Sequence, residues 1–161
     1  MKYAGVFLVL AIVISATPSI VPGIDHVIDS GKNPQYLFVM SANSGTFKDG
    51  KLTLKDVPLV IYFSDRPDRI AGHMSLEQFV KIWGKGKDSF RADPPNATLS
   101  VFNEAGNKDA VLKISDIELK GDVLTYKIRT LEGSAPKSFG PSTLFIDLFA
   151  FPFPPTLGTP S

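Results

Sequence analysis

Two runs in the C-terminal half of the chain alternate between apolar and polar residues. They are Ala110 to Leu119 (AVLKISDIEL) and Asp122 to Leu131 (DVLTYKIRTL). A repeat of two residues is typical of a strand with one buried face. The runs are joined through Lys120 and Gly121, and a Gly-Asp pair between alternating runs is a hairpin signal. The pattern therefore predicts an antiparallel β-hairpin.

Five further short runs have the character of strands and are bounded by turn residues. Their ranges are 36–41 (YLFVMS), 51–57 (KLTLKDV), 59–64 (LVIYFS), 97–103 (ATLSVFN) and 142–149 (STLFIDLF). Within the second run, Leu52 and Leu54 share one face. Seven strands at near-regular spacing, with one short helix, predict a mainly β domain. We expect an immunoglobulin-like β-sandwich, with a partly open barrel as the alternative.

The predicted helix lies between the third and fourth of these seven strands. Ser75 and Gln78 have the spacing of a capping box, and Gly84 ends the helical pattern. Two turns are too few for a stable isolated helix. We therefore expect the helix to cap one end of the sheets and its Trp83, the only tryptophan, to be buried. The apolar positions at helical spacing are Leu76, Phe79, Val80 and Trp83.

The N-terminus has the form of a secretory signal. Lys2 supplies a positive charge, and Tyr3 to Ala16 is an apolar run shorter than the ~20 residues of a membrane span. We predict a signal peptide over residues 1–19 and a secreted, periplasmic or cell-surface protein. Ile14 stands where a cleavage site favours a small residue, so an uncleaved anchor is the alternative. Membrane contact is expected only through this segment.

Proline and glycine mark the limits of the folded part of the chain. Residues 20–34 form a predicted linker, and residues 35–149 form the predicted β-sandwich domain. The tail, residues 150–161, contains prolines that prevent regular structure. These are Pro152, Pro154, Pro155 and Pro160.

Charge and cysteine content exclude several classes of function. The chain has 17 Lys and Arg against 16 Asp and Glu, so removal of Lys2 with the signal leaves 17 − 1 = 16 basic residues against 16 acidic ones. That balance argues against nucleic acid or anionic lipid as a partner. The chain has no cysteine, which excludes disulfides, a thiolate nucleophile and thiolate metal sites.

The most charged stretch of the chain is SDRPDR, residues 64–69. Asp65 could cap backbone N–H groups in a turn fixed by Pro67, with a nearby guanidinium on a carboxylate. Alternatively, the guanidiniums could bind an anion, since arginine forks recognise carboxylates and phosphates. The turn is our first interpretation. The second predicts a binding surface for an unknown anionic ligand or protein partner, comprising Asp65, Arg66, Asp68, Arg69 and His73.

Catalysis by the same stretch is the alternative hypothesis. A hydrolase could use Asp65 and Asp68 with His73 and either Ser64 or Ser75. A triad needs a base oriented between the nucleophile and a carboxylate, and closeness in sequence does not provide that geometry. We therefore predict no catalytic residues.

A metal site is not predicted either. The only histidines are His26 and His73, and without cysteine they cannot complete a usual zinc or type I copper site. A calcium site from Asp65, Asp68 and Asp93 would use suitable oxygen ligands, but no EF-hand spacing supports it. We expect no cofactor. Asn96 begins a glycosylation sequon, although a turn leading into a strand explains the same residues.

Four motifs together resemble a family of small exported proteins, mostly microbial, that is defined by YFSDRP-type and PPNA motifs. The motifs are IYFSDRPDRIAGHM, FRADPPNATLSV, the hairpin around LTYKI, and SFGPSTLFID. The resemblance covers residues 36–147. It implies a signal peptide and a compact secreted domain, with no activity to carry over. The proline- and phenylalanine-rich extension after Asp147 departs from the family pattern. The expectation is thus an exported, non-enzymatic binding or structural module, with a hydrolase as the alternative.

Overall fold

The computed structural model describes residues 35–66, 69–86, 89–104 and 106–150. For residues 148–150 it describes only the backbone, which is part of a strand. The predicted signal peptide and linker, and the tail after Ala150, lie outside the described residues. The elements are β1 (Gln35–Ala42), β2 (Ser44–Lys48), β3 (Lys51–Lys55), β4 (Val60–Ser64), β5 (Ala71–Met74), α1 (Leu76–Trp83), β6 (Asn96–Val101), β7 (Lys108–Lys120), β8 (Val123–Gly133), β9 (Ser138–Phe139) and β10 (Ser142–Ala150).

The strands form one sheet in the order β5-β4-β1-β10-β6-β7-β8-β3-β2-β9, and neighbouring strands are antiparallel. The predicted hairpin is present, because Lys120 pairs with Val123 around Gly121, which has φ 61°. All seven predicted strands are found, as β1, β3, β4, β6, β7, β8 and β10. The short strands β2, β5 and β9 were not predicted.

The sheet bends strongly enough to bring distant strands into contact. In the sheet order, β10, β6 and β7 separate β1 from β8, which would place β1 and β8 about 19 Å apart in a flat sheet. Instead, the Tyr126 hydroxyl of β8 donates a hydrogen bond of 3.1 Å to Met40 Sδ of β1. One curved sheet therefore encloses the core. Burial raises the pKa of Tyr126 well above its usual value.

Helix α1 closes one part of this core with aromatic side chains. Ser75 Oγ accepts from Gln78 N and Gln78 Oε1 accepts from Ser75 N, so the predicted capping box is confirmed. Trp83 is buried, as predicted, and stacks on Phe90 with ring centroids 4.7 Å apart. Phe38 of β1 packs against Phe79 at 5.3 Å. The helix thus joins the sheet through rings rather than through polar contacts.

The predicted fold class is confirmed at the level of a mainly β domain with one short helix. The single open antiparallel sheet is consistent with a β-sandwich or a partly open barrel. Across the described ranges, no helix has the length and apolar character needed to cross a membrane.

Candidate functional site

The SDRPDR stretch connects β4 to β5 and is closed by two hydrogen bonds at its base. Ser64 N donates to Ile70 O at 2.8 Å, and Ile70 N donates to Ser64 Oγ at 2.9 Å. The Ser64 side chain is buried. The Ser64 hydroxyl therefore stabilises the base of this loop, where β4 ends and the chain turns towards β5.

Asp65 stabilises the turn locally. Its Oδ1 accepts from Arg66 N at 2.7 Å, and its carbonyl oxygen accepts from Arg69 N at 3.2 Å. Arg69 has φ 48°, in the left-handed region. These contacts agree with the turn interpretation, but among the described residues no ion pair joins Asp65 to Arg66 or Arg69. Asp68, also part of the predicted binding surface, lies outside the described residues.

His73 lies in the edge strand β5. It pairs with Ile61 of β4 and is exposed. Because Asp65 follows Ile61 by four residues, it lies roughly 13 Å along the strand direction from His73. The Ser75 hydroxyl caps α1. The structure therefore does not bring Asp65, His73 and a serine together.

The calcium hypothesis gains no geometric support from the described residues. Within them, no three His, Asp or Glu side chains lie close enough together to hold a metal ion. Asp93 lies in the turn before β6, where its backbone N donates to Ser89 O at 2.9 Å. Asp68, the third carboxylate of that hypothesis, is outside the described ranges.

A surface that the sequence did not predict lies on the outer side of β4, β1 and β10. Core residues alternate with apolar residues that point away from the core in the middle of β1 and in β4, and Phe145 does the same in β10. Directly paired residues of antiparallel strands share a face. The register pairs Val39 with both Ile61 and Phe145, and Leu37 with Phe63. We call this set the outer apolar face: Leu37, Val39, Ile61, Phe63 and Phe145.

Three members of the outer apolar face are strongly exposed for large apolar side chains. Ile61 is 47% exposed, Phe63 40% and Phe145 40%. Phe102 and Leu131 are similarly exposed, at 50% and 45%, but lie outside this face. Single exposed apolar residues are ordinary, whereas contiguous apolar patches mark contact surfaces.

The predicted binding surface and the outer apolar face adjoin each other. His73 of β5 pairs directly with Ile61 of β4, so the two side chains lie on the same side of the sheet. An open depression is lined by Leu37, Phe63, Ser64, Asp65 and Asp147. A second depression beside Phe145 includes Asn96, whose side chain is exposed at the start of β6. Asp65 and Asp147 therefore lie at one end of the apolar face.

A different, charged depression lies over β3, β8 and β7. Arg91 Nη2 and Asp116 Oδ1 form an ion pair of 3.2 Å there between two exposed side chains. The lining cations and carboxylates are equal in number, so the depression has no net charge to favour an anion. Its charged residues are Asp49, Lys51, Arg91, Asp116, Glu118 and Lys127.

The sequence did contain a signal for the outer apolar face. In the runs YLFV and VIYF, both faces of each strand carry apolar residues instead of alternating. Such runs are typical of strands covered on both sides, yet in the described structure only the inner side is covered. Among known proteins, no family model, curated protein or solved structure matches this chain.

Proposed function

We propose that this chain is an exported, non-enzymatic binding module that contacts a protein partner through its outer apolar face. The observation that supports this most directly is the exposure of Ile61 and Phe63 on β4 and of Phe145 on β10, the two strands that flank β1. Full burial of such a side chain contributes about 1.5 to 3 kcal/mol. Less than half of the surface of each residue is exposed. Covering that part with a partner would therefore contribute about 1 kcal/mol per residue to the binding free energy.

The chemistry of the face favours a protein over a small anion. Its five members are uncharged and offer an anion no N–H or O–H side-chain donor. The SDRPDR loop would contribute to the polar rim that surrounds the apolar centre of a protein interface. Arg66 and Arg69 are exposed and would there pair with carboxylates of the partner. The loop and the face are thus parts of one proposed interface.

The hydrolase alternative receives no comparable support. Asp65 and His73 border the same face, but they lie too far apart for the hydrogen bond that a base and its orienting carboxylate need. Ser64 Oγ is already bonded to the backbone of Ile70. We therefore place these residues at the border of a contact surface and assign none of them to bond cleavage.

Site-specific photo-crosslinking in the native host tests this proposal. Benzoylphenylalanine replaces Phe63 in one variant and Phe102 in the other, because both residues are exposed phenylalanines and only the first lies on the outer apolar face. We expect a discrete adduct of higher mass from position 63 and none from position 102. Position 145 should give the same adduct as position 63.

Substitutions on the face provide the matched control. Phe145→Ser should reduce the yield of the adduct from position 63, since both residues contact the proposed partner. Leu131→Ser removes a side chain of similar exposure outside the face and should leave the yield unchanged. Adducts of equal yield from positions 63 and 102, or no adduct from position 63, would contradict the proposed function.

A further inference from the structure

The two ends of the described chain leave the sheet side by side, next to the outer apolar face. Ala150, the last residue of β10, pairs with Gln35, the first residue of β1. Leu37 follows Gln35 by two residues, or about 7 Å, and is directly paired with Phe63. The segment that continues from Ala150 therefore starts at the border of this face.

That segment, residues 151–161 (FPFPPTLGTPS), has the composition of a ligand for such a face. It has no charged residue and includes Phe151 and Phe153 among four prolines. The four prolines have no backbone N–H, which disfavours a strand that would extend the sheet edge. Proline-rich segments instead bind aromatic surfaces through their side chains, in an extended conformation that costs little entropy.

We propose that residues 151–161 bind the outer apolar face of their own domain and compete there with the external partner. The inference rests on the proposed function, since it names what regulates access to that same surface. Phe151 and Phe153 supply apolar rings for Leu37 and Phe63, the members of the face nearest to Ala150.

Chain length permits this contact without any change in the sheet. An extended proline-rich segment advances about 3.1 Å per residue, so the first few residues after Ala150 already span the distance to Leu37 and Phe63. Covalent attachment also gives the segment a high effective concentration at the face, as a short tether does for any linked ligand. The attached segment therefore has an advantage over the same segment of a second copy.

Crosslinking within the purified full chain tests the inference. Benzoylphenylalanine replaces Phe153, which lies beyond the last strand, and mass spectrometry locates the residue that it captures. We expect an adduct of monomer mass that joins position 153 to β4, β1 or β10 at the outer apolar face, with a yield that does not change on dilution. Phe63→Ser should reduce this yield, and Leu131→Ser should not.

Other outcomes overturn the inference. An adduct of dimer mass at the face means that residues 151–161 bind a second copy, and an adduct with residues 1–34, or none at the face, means that they do not bind the face. Phe151→Ser with Phe153→Ser should also increase the partner adduct from position 63 in cells. An unchanged partner adduct would contradict the competition.

The two proposals fail separately. If position 63 captures a partner while position 153 captures nothing on the face, the proposed function stands and the competition by residues 151–161 is wrong. If position 153 captures the face while position 63 captures no partner, the segment is a permanent cover and the proposed function is wrong.

Discussion

At the scale of single residues, Ser64 and Asp65 stabilise the same loop to different extents. Ser64 is buried and its hydroxyl accepts from Ile70 N, while the exposed Asp65 carboxylate, as far as the described residues show, accepts from the Arg66 N–H. A buried donor left without a partner costs about 1 to 3 kcal/mol, whereas an exposed donor can turn to water. Sequence analysis emphasised Asp65 because it is charged. Burial, which the sequence does not show directly, makes Ser64 the residue with the larger effect on the free energy of unfolding.

The two residues give a direct prediction. We expect Ser64→Ala to lower the free energy of unfolding by about 1 to 3 kcal/mol and Asp65→Ala to lower it by at most about 1 kcal/mol. His73→Ala should have little effect, since His73 is exposed on an edge strand. Equilibrium unfolding in urea of the three variants beside the parent measures the order. An Asp65→Ala protein less stable than Ser64→Ala would refute it.

At the scale of elements, the long alternating strands and the helix were predictable because each carries its own local signal. The strands that were not predicted, β2, β5 and β9, are too short to show a clear alternation of apolar and polar residues. β9 has two residues, and β2 contains Gly45, which is held against the ring of Phe139 and has no side chain to show the alternation. A turn signal before β3 was present in Asp49-Gly50, where both residues have positive φ, as a two-residue hairpin turn requires.

The runs YLFV and VIYF indicated apolar residues on both sides of β1 and β4, but these element signals could not show that the outer side is left exposed. An apolar run on both sides of a strand predicts burial on both sides, but it does not identify what covers the second side. That information depends on sheet order, which places β10 beside β1 although 99 residues separate the end of β1 from the start of β10, since 142 − 42 − 1 = 99. Long-range pairing of this kind leaves no periodic trace in the sequence.

Helix α1 provides a prediction at this scale. Trp83 fills the space between Phe79, Phe90 and Tyr126, so Trp83→Ala should lower the free energy of unfolding by about 3 to 5 kcal/mol. Ser75→Ala removes only the cap and should cost about 1 kcal/mol. Urea unfolding followed by circular dichroism gives both values. Equal losses for the two variants would mean that the ring cluster does not attach the helix.

At the scale of the whole molecule, the described domain and the segments on either side of it differ in composition. The apolar run from Tyr3 to Ala16 has no charge, and neither has the segment after Asp147. The described domain starts and finishes at the same end of the sheet, because Gln35 of β1 pairs with Ala150 of β10.

Export itself is the last prediction. Because Lys2 precedes a short apolar run and a proline-rich linker follows it, we expect residues beyond about 24 to lie outside the cytoplasm. A reporter that is active only outside the cytoplasm, fused after Pro34, should be active. Replacing Leu8 and Leu10 with arginine within the run provides the control, since charge in the apolar region blocks its recognition, and this fusion should be inactive at equal abundance. A stable but inactive parent fusion would place the domain in the cytoplasm and remove the basis for an extracytoplasmic binding partner.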